Sequence, residues 1–433
     1  MDLKPKMKPV RVAVIGGGAS GCMAAITAAQ AGADVHIFEK NEKPGKKLYA
    51  TGNGRCNLTN LHMDDSCYHT RTADKNGSSL IHSAIERYSP ADQIRFFADL
   101  GVPVYDRDGY VYPRTNQAQT VVRALEKRIA ALGIRVHTDC TVRKIRRSQQ
   151  ETNADDAVFY VDCNDREARA FDTVILCTGG MAGPQYGTTG DGYRLAASFS
   201  HRIRNPLPAL TALECKGQFL KRAAGVRCRA AVTLFTGNDK KQIREGREEG
   251  EVQMTDYGIS GIPVMQISGK AASLLESKQR VFVQIDFLPE FSDRAFSDEI
   301  ERRMREDRSQ MLGDLFLGLV HKKILDLLLA EKGLQAEMKA RRIDDAGIRQ
   351  ILQSMREFTL EVIQVKSFKQ AQVTSGGIPL VETDADFQSR LQPGLFFAGE
   401  ILDVDGRCGG YNLQWAFATG YIAGLAAAHY SRV

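Results

Sequence analysis

The residues with the clearest chemical potential stand near the start of the chain, in Gly16-Gly17-Gly18-Ala19-Ser20-Gly21 and in Glu39. The six-residue run supplies the pattern G-x-G-x-x-G. In such a turn Gly16 reverses the chain, Gly18 lets a pyrophosphate come against the backbone, and Gly21 lets helix and strand pack closely. Gly16, Gly18, Ala19, Ser20 and Gly21 are therefore candidate cofactor contacts. Glu39 stands 18 residues beyond Gly21, where a carboxylate can accept the hydroxyls of an adenosine ribose. It disfavours a 2′-phosphate, so the pattern favours FAD or NAD over NADP. Three elements must position these residues. They are the apolar, β-branched run Val10 to Ile15 as a central parallel strand, a helix Ser20 to Ala31 with its amides toward the phosphates, and a second strand Asp34 to Phe38. A glycine-rich turn beside an exposed Glu is the competing structural reading, and the complete order of elements weighs against it.

After Glu39 and Lys40 the chain continues Pro44-Gly45-Lys46-Lys47-Leu48-Tyr49-Ala50-Thr51-Gly52-Asn53-Gly54-Arg55-Cys56-Asn57-Leu58-Thr59-Asn60. Gly52 and Gly54 let backbone pass against a flat ring, while Asn53, Arg55 and Asn57 supply donors for phosphates and ring heteroatoms. This stretch resembles the signature of the BaiN-like (YhiN) flavoproteins, within the glutathione reductase-type FAD superfamily. The resemblance implies an α/β fold: a GR2-type, Rossmann-like FAD-binding domain with a parallel central sheet, carrying an inserted β-barrel and a helical lobe. It also implies that Gly52 through Asn57, Cys56 included, lie along the pyrophosphate and isoalloxazine. Lys40 and Lys47 join the candidate cofactor contacts.

The rest of the chain fits that plan. Residues 78 to 131 read as helices with a turn-rich interruption at Pro103 to Pro113, capping the FAD domain. Thr141 to Ile145 reads as a strand, and relatives hold adenine through backbone at such a position, which makes Val142 a candidate; an ordinary buried valine is the alternative. Phe171 to Cys177 is a strand ending in Thr178-Gly179-Gly180, followed by Gly187-Thr188-Thr189-Gly190-Asp191-Gly192. These turns resemble segments of the fumarate reductase-like flavoproteins and add Thr178 and Gly179 to the cofactor set. No second G-x-G-x-x-G unit and no C-x-x-C occurs, which argues against a disulfide-reductase layout. From about residue 197 short strands alternate with Gly and Pro turns, then helices follow. The expected boundaries are 1–196 with 357–433 for a discontinuous FAD-binding domain, 197–292 for a β-barrel substrate domain and 293–356 for a helical lobe. Gly237 to Gly250 reads as a solvated hairpin tip. In Thr255 to Pro263, Asp256 and Ile262 stand where many family members have His and Pro.

Toward the end, Gly394 to Glu400 reads as a buried strand ending in an acid, and the resemblance assigns Gly399 and Glu400 to the ribityl chain. A glycine-rich loop, Asp403 to Gly410, precedes a small-residue helix from Tyr411. Its free amides, at Gly410, Tyr411, Asn412 and Leu413, would support negative charge at flavin N1 and O2.

Composition sets outer limits. The chain has 433 residues, 43% hydrophobic and 25% charged, with a net charge of +6. That balance suits a multidomain globular protein and does not call for nucleic acid. No apolar run approaches the roughly 20 residues of a membrane helix, and Met1 to Lys8 lacks a signal-peptide core, so a cytoplasmic protein is expected. The nine cysteines read as reduced thiols, and Cys56 and Cys408 as inert packing. His137 and His201 have no neighbours at metal-ligand spacing and His69 lies in a polar loop, so no metal is expected. The favoured activity is NAD(P)H-driven reduction of a polarised C=C, an enone such as a 3-oxo-4-ene steroid or bile acid, without a dedicated second Rossmann domain for the donor. Tyr257, Arg55 and Tyr411 are candidate proton donors by motif proximity. The alternatives are a tRNA-modifying flavoprotein, an amine oxidase and a non-catalytic flavin-bound redox sensor.

Overall fold

A computed structural model describes residues 8–72, 75–148, 159–164, 168–238 and 241–431. The signal-peptide reading of the first residues therefore lies largely outside the described residues. The chain divides into two compact units, Met1–Pro206 with Val373–Val433, and Leu207–Gln372.

In the first unit Arg11–Ile15, all but its first residue buried, is the middle of a five-stranded parallel sheet. The order across the sheet is Leu395–Phe397, Thr173–Leu176, Arg11–Ile15, Asp34–Phe38, Arg135–His137. Every pairing is parallel, as expected of strands covered on both faces. This is a Rossmann-like α/β fold with a parallel central sheet. Helix Ala19–Gln30 follows the glycine turn, and helix Tyr411–Ala428 packs against it. A Cβ on Gly420 would lie 2.5 Å from the Ser20 carbonyl, and one on Gly424 would strike the Ala24 carbonyl. Only glycine at both positions lets the helices come this close.

Helices Lys75–Arg87 and Pro90–Asp99 pack against Tyr411–Ala428, and Ala118–Ala131 against Ala19–Gln30. The second starts on a full capping box, Ser89 with Asp92, and Pro90 opens its first turn. The interruption at 103–113 is not an irregular turn but a β-hairpin, Val104–Arg107 with Tyr110–Pro113, extended by Thr59–Asn60. Asp108 and Gly109 both have positive φ, 53° and 84°, the requirement of a two-residue I′ turn. A three-stranded antiparallel sheet, Val142–Arg147, Phe159–Cys163 and Arg169–Phe171, completes the unit. Its register sets Val142 opposite Cys163. Cys140 and Cys163 are consequently paired as a disulfide, with Cα atoms 5.8 Å apart. The expectation of uniformly reduced thiols is corrected for this pair, which register brings together and spacing does not reveal.

The second unit is a closed six-stranded barrel, in the order Leu213–Cys215, Gly258–Ser260, Lys241–Met254, Arg227–Asn238, Val281–Asp286, Phe358–Val365. Helix Ile262–Glu276 and the helices between 293 and 354 share one apolar core with it, a single cluster that includes Leu327, Leu328 and Ile351 as well as Val232, Val283 and Leu360. Two expectations change. Phe358–Val365 closes the barrel against Leu213–Cys215, so the chain leaves this unit at 372 rather than 356. Gly237–Gly250 is paired strand over most of its length, Ala230 facing Gly250 and Leu234 facing Gly246. Its charged residues sit on an outer face where Arg229 bridges Glu249 at 2.7 Å; Asp239 and Lys240, at the tip, lie outside the described residues. Among the described residues no helix is long and apolar enough to cross a membrane.

Gly420→Ala decides between propensity and packing. Alanine favours a helix interior by about 1 kcal/mol over glycine, yet here its methyl meets the Ser20 backbone. The variant is expected to unfold at lower denaturant than wild type in urea titration; a higher midpoint would show that the helices are not in this contact.

Candidate flavin site

At the sheet's carboxyl end, Gly16 has φ of 100° and its missing Cβ would stand 2.6 Å from the Cys177 carbonyl. Gly21 is pressed against the Gly16 carbonyl in the same way. Gly18 is the exception, for a Cβ there would meet nothing within 4 Å. Turn and helix are thus closed on two sides and open at the one glycine a pyrophosphate would approach. No side chain caps the helix that begins at Ala19 and Ser20, so its amino end suits an anion. Glu39 is buried at the end of the second strand. Its Oε2 accepts the Gly17 N–H at 2.8 Å, and its Oε1 accepts the Asn41 N–H at 2.8 Å and side-chain amide at 2.7 Å. It shapes the glycine turn and still has lone pairs for a ribose. The Cys140 N–H donates to the Glu39 carbonyl at 3.0 Å, which brings the start of the Val142 strand alongside.

The two lysines are committed within the protein. Lys40 pairs with Asp191 and donates to Thr189 at 2.7 Å, joining the strand end to the Gly187–Gly192 turn. Lys47 pairs with Glu400 at 2.8 Å, and Glu400 also accepts the Thr374 N–H at 2.7 Å. Thr178 and Gly179 follow the Thr173–Leu176 strand, and Gly192 is held against the Thr178 hydroxyl with no room for a side chain. Gly399 lies against Ser20, where a Cβ would be 2.6 Å from its hydroxyl, and donates its N–H to Thr419 at 2.8 Å.

The segment after Lys47 is a turn with Gly52 and Asn53 in left-handed backbone. Gly52, Asn53, Gly54 and Arg55 are exposed, whereas Cys56 is fully buried and burial pushes its thiol up to about 12. Asn57 is buried, and its Oδ1 has no hydrogen-bond partner. An orphaned buried amide oxygen beside an open glycine turn fits a site built for a ligand with donors. At the other end Gly410, with φ of 99°, presses on Thr59 and starts helix Tyr411–Ala428, again with no side-chain cap. The Asn412 side chain accepts from Gly406 N–H and donates to its carbonyl, both at 2.8 Å. Asn412 therefore clamps the loop, and the helix's amino end, with Leu413 half-buried in its first turn, is what remains for an anion.

These features fit FAD, and the whole chain agrees: residues 10–426 match the HI0933-like protein Rossmann domain. The chain belongs to the HI0933-like family. A 3-dehydro-bile acid delta(4,6)-reductase of Clostridium scindens is 37% identical over 421 residues, 96% of this chain and 99% of that one. A ribosomal RNA dihydrouridine synthase of Haemophilus influenzae is 27% identical over 415 residues, 95% of this chain and 97% of the other. Among solved structures, the 3-ketosteroid delta1-dehydrogenase of Sterolibacterium denitrificans in complex with 1,4-androstadiene-3,17-dione superposes with a TM-score of 0.51. At 12% identity, over 96% of this chain and 99% of that one, it shares the fold.

Within this HI0933-like chain the three proton-donor candidates fall in different settings. The Tyr411 hydroxyl donates to the His62 carbonyl at 2.8 Å, and burial raises its pKa. Arg55 is an exposed cation over the Tyr112 ring, 5.2 Å from its centroid. Tyr257 belongs to the other unit, with the Lys366 ammonium 3.7 Å above its ring. Within its own unit the Tyr411 hydroxyl is already committed to a carbonyl, and Arg55 carries a guanidinium rather than an acid. Two groups that spacing did not single out do stand beside the glycine-lined region, Asp405 and Tyr193, each buried with an unpartnered oxygen. The Asp in Asp405-Gly406 was a visible signal, submerged in what reads as a glycine loop.

His201, set aside above for lack of metal spacing, is a structural pivot. Ser389 Oγ accepts the Leu391 and Gln392 N–H groups at 3.1 and 2.8 Å, so its proton points to His201 Nε2 at 2.7 Å. Nδ1–H then donates to Glu382 at 2.7 Å, and the ring is neutral. Burial lowers its pKa from 6.5, against the opposite pull of Glu382. Among the described residues no group of three or more His, Cys, Asp or Glu is placed to hold a metal.

Two outcomes follow. Removing the buried Glu39 carboxylate is expected to weaken FAD binding by roughly 10- to 100-fold, the cost of charge-assisted hydrogen bonds; unchanged affinity for Glu39→Ala by fluorescence titration would remove it from the site. Because the folded His201 binds its proton more weakly than the unfolded chain does, its stabilisation is present above pH 6.5 and lost as pH falls through the lower folded value. The stability difference between wild type and His201→Gln should shrink over that interval in thermal melts, and a difference that grows on acidification contradicts the neutral ring.

Proposed function

We propose that this protein is an FAD-dependent oxidoreductase that reduces a carbon–carbon double bond conjugated to a carbonyl, on a steroid- or bile-acid-like substrate, with NAD(P)H as electron donor. The observation that carries the reading is the 37% identity to the bile acid reductase, spread over 96% of this chain and 99% of that relative. Bound FAD supplies hydride chemistry at N5. The chain supplies the rest: amide ends at Ala19 and Tyr411 for negative charge, Glu39 for ribose hydroxyls, Glu400 with Lys47 beside the strand end, and Gly52 through Asn57 as the wall along the ring. With a single G-x-G-x-x-G unit, NAD(P)H must visit the flavin region itself and leave before the acceptor enters.

One further observation supports the reaction class and opens a second reading of the substrate. Dihydrouridine is uridine with its ring C=C, conjugated to a carbonyl, reduced, so both curated relatives act in the same chemical sense. A uracil base in ribosomal RNA is therefore the alternative acceptor, at 27% identity over 95% of this chain, and the free-steroid reading takes precedence on the higher identity.

The test is an anaerobic absorbance titration. NADH or NADPH should bleach the flavin, and 3-oxo-4-ene steroids should restore its colour faster than fumarate, quinones, amines or unmodified ribosomal RNA. Reoxidation by RNA alone would transfer the assignment to the second reading, and bleaching by amines without NAD(P)H would overturn both.

A further inference from the structure

The loop between the strand end at Glu400 and the helix at Tyr411 buries two carboxyl groups, Asp403 and Asp405, two residues apart. Asp403 is fully buried; its oxygens accept from the Thr72 hydroxyl at 2.6 Å, the Thr70 hydroxyl at 3.3 Å and the Arg71 N–H at 3.3 Å. Asp405, two residues on, is buried as well, with Ser375 as hydrogen-bond partner and Oδ1 without any. Tyr193, from helix Asp191–Ala197, is buried with its hydroxyl likewise unpartnered, and it faces the carboxyls of Glu400 and Asp403. Two orphaned polar atoms thus share one acidic neighbourhood. An unsolvated carboxylate oxygen with no donor is far more costly than a neutral carboxyl in the same place. The groups around Asp405 are Glu400 and Asp403 on its own segment, Arg71 across from it, and Ser375 on the strand beside it. His69 is its register partner, exposed on the adjoining strand. Burial first, and then the Asp403 and Glu400 carboxylates, push Asp405 up to about 7 against the opposite pull of the Ser375 hydrogen bond and the Arg71 cation.

Position gives the acid its use. Gly406, the next residue, is clamped by Asn412 and packs on Tyr411, so Asp405 sits against the first turn of the helix whose amino end is assigned to the flavin ring. We propose that Asp405 is a redox-linked protonation site, taking up one proton when an electron pair reaches the bound flavin and releasing it when the pair leaves. The balance is simple. The electron pair comes from NAD(P)H or an external reductant and raises the negative charge beside the loop; one proton from solvent adds to the Asp405 carboxylate as an O–H bond; reoxidation reverses both. This rests on the flavin ring lying at that helix end. Asp405 holds the proton through the field at the site and is a positioning residue rather than a group in contact with substrate.

The test uses the holoprotein. The midpoint potential is measured against pH with redox dyes, and the infrared carboxyl band of a protonated acid is followed in the oxidised state. Above pH of about 7 the wild type should take up one proton more per electron pair than Asp405→Asn, and the band should fade through the same range and be missing from that variant. Asp403→Asn, which removes a neighbouring negative charge, should move the step to lower pH; this second variant carries the test if Asp405→Asn fails to hold flavin. Equal proton counts in wild type and Asp405→Asn overturn the proposal. If the band is nonetheless present and lost in Asp405→Asn, the acid is real and the assumed ring position is what failed. No band and no extra proton show an ordinary ionised aspartate, with the enone reading untouched.

Discussion

The site depends on one contact, the close parallel packing of helices Ala19–Gln30 and Tyr411–Ala428. Ser20 meets Gly420 and Ala24 meets Gly424, so the helices run in the same direction, with no side chain between their backbones. Counting back from those contacts to Ala19 and Tyr411, at 1.5 Å per residue, offsets the two amino ends by about 12 Å along the axis. Two amide-lined anion sites at a fixed spacing suit a ligand with a pyrophosphate at one end and an electron-accepting ring at the other. Gly399 presses on the same Ser20 from the end of the Leu395–Phe397 strand, so strand, glycine turn and both helices are registered through one small residue.

Around that contact the charges are arranged to hold loops as well as to meet a ligand. Glu39 ties the glycine turn through Gly17, Glu400 ties Lys47 to the Thr374 strand, and Lys40 ties the second strand to Asp191. Each of these residues carries a structural bond in addition to any contact with cofactor. Substitution at them therefore changes loop position and binding together, which is why the isosteric Asp405→Asn is more informative than a truncation there.

Legibility in the sequence followed how local the cause was. The turn at Gly16 to Gly21, the acid at Glu39 and the helix from Tyr411 arise from neighbouring residues, and all stand where the spacing placed them. The hairpin at Val104–Pro113 is equally local in cause, since Asp108 and Gly109 take the positive φ that its two-residue turn requires. What required three dimensions was hidden. Phe358–Val365 belongs to the barrel because it pairs with Leu213–Cys215, about 150 residues earlier. Cys140 meets Cys163 through strand register, and helices after Asp293 share the barrel's core. Asp405 and Tyr193 are each brought to the carboxyls of Glu400 and Asp403 through loop and helix placement that no short motif encodes.

The measurement that bears most directly on this account is a calorimetric titration of flavin-stripped protein with FAD, FMN and NAD+. The two-ended site predicts tight binding of FAD alone, with FMN far weaker because it lacks the adenosine half that Gly16 to Gly21 and Glu39 receive. FMN binding as tightly as FAD, or no FAD binding at all, would contradict it.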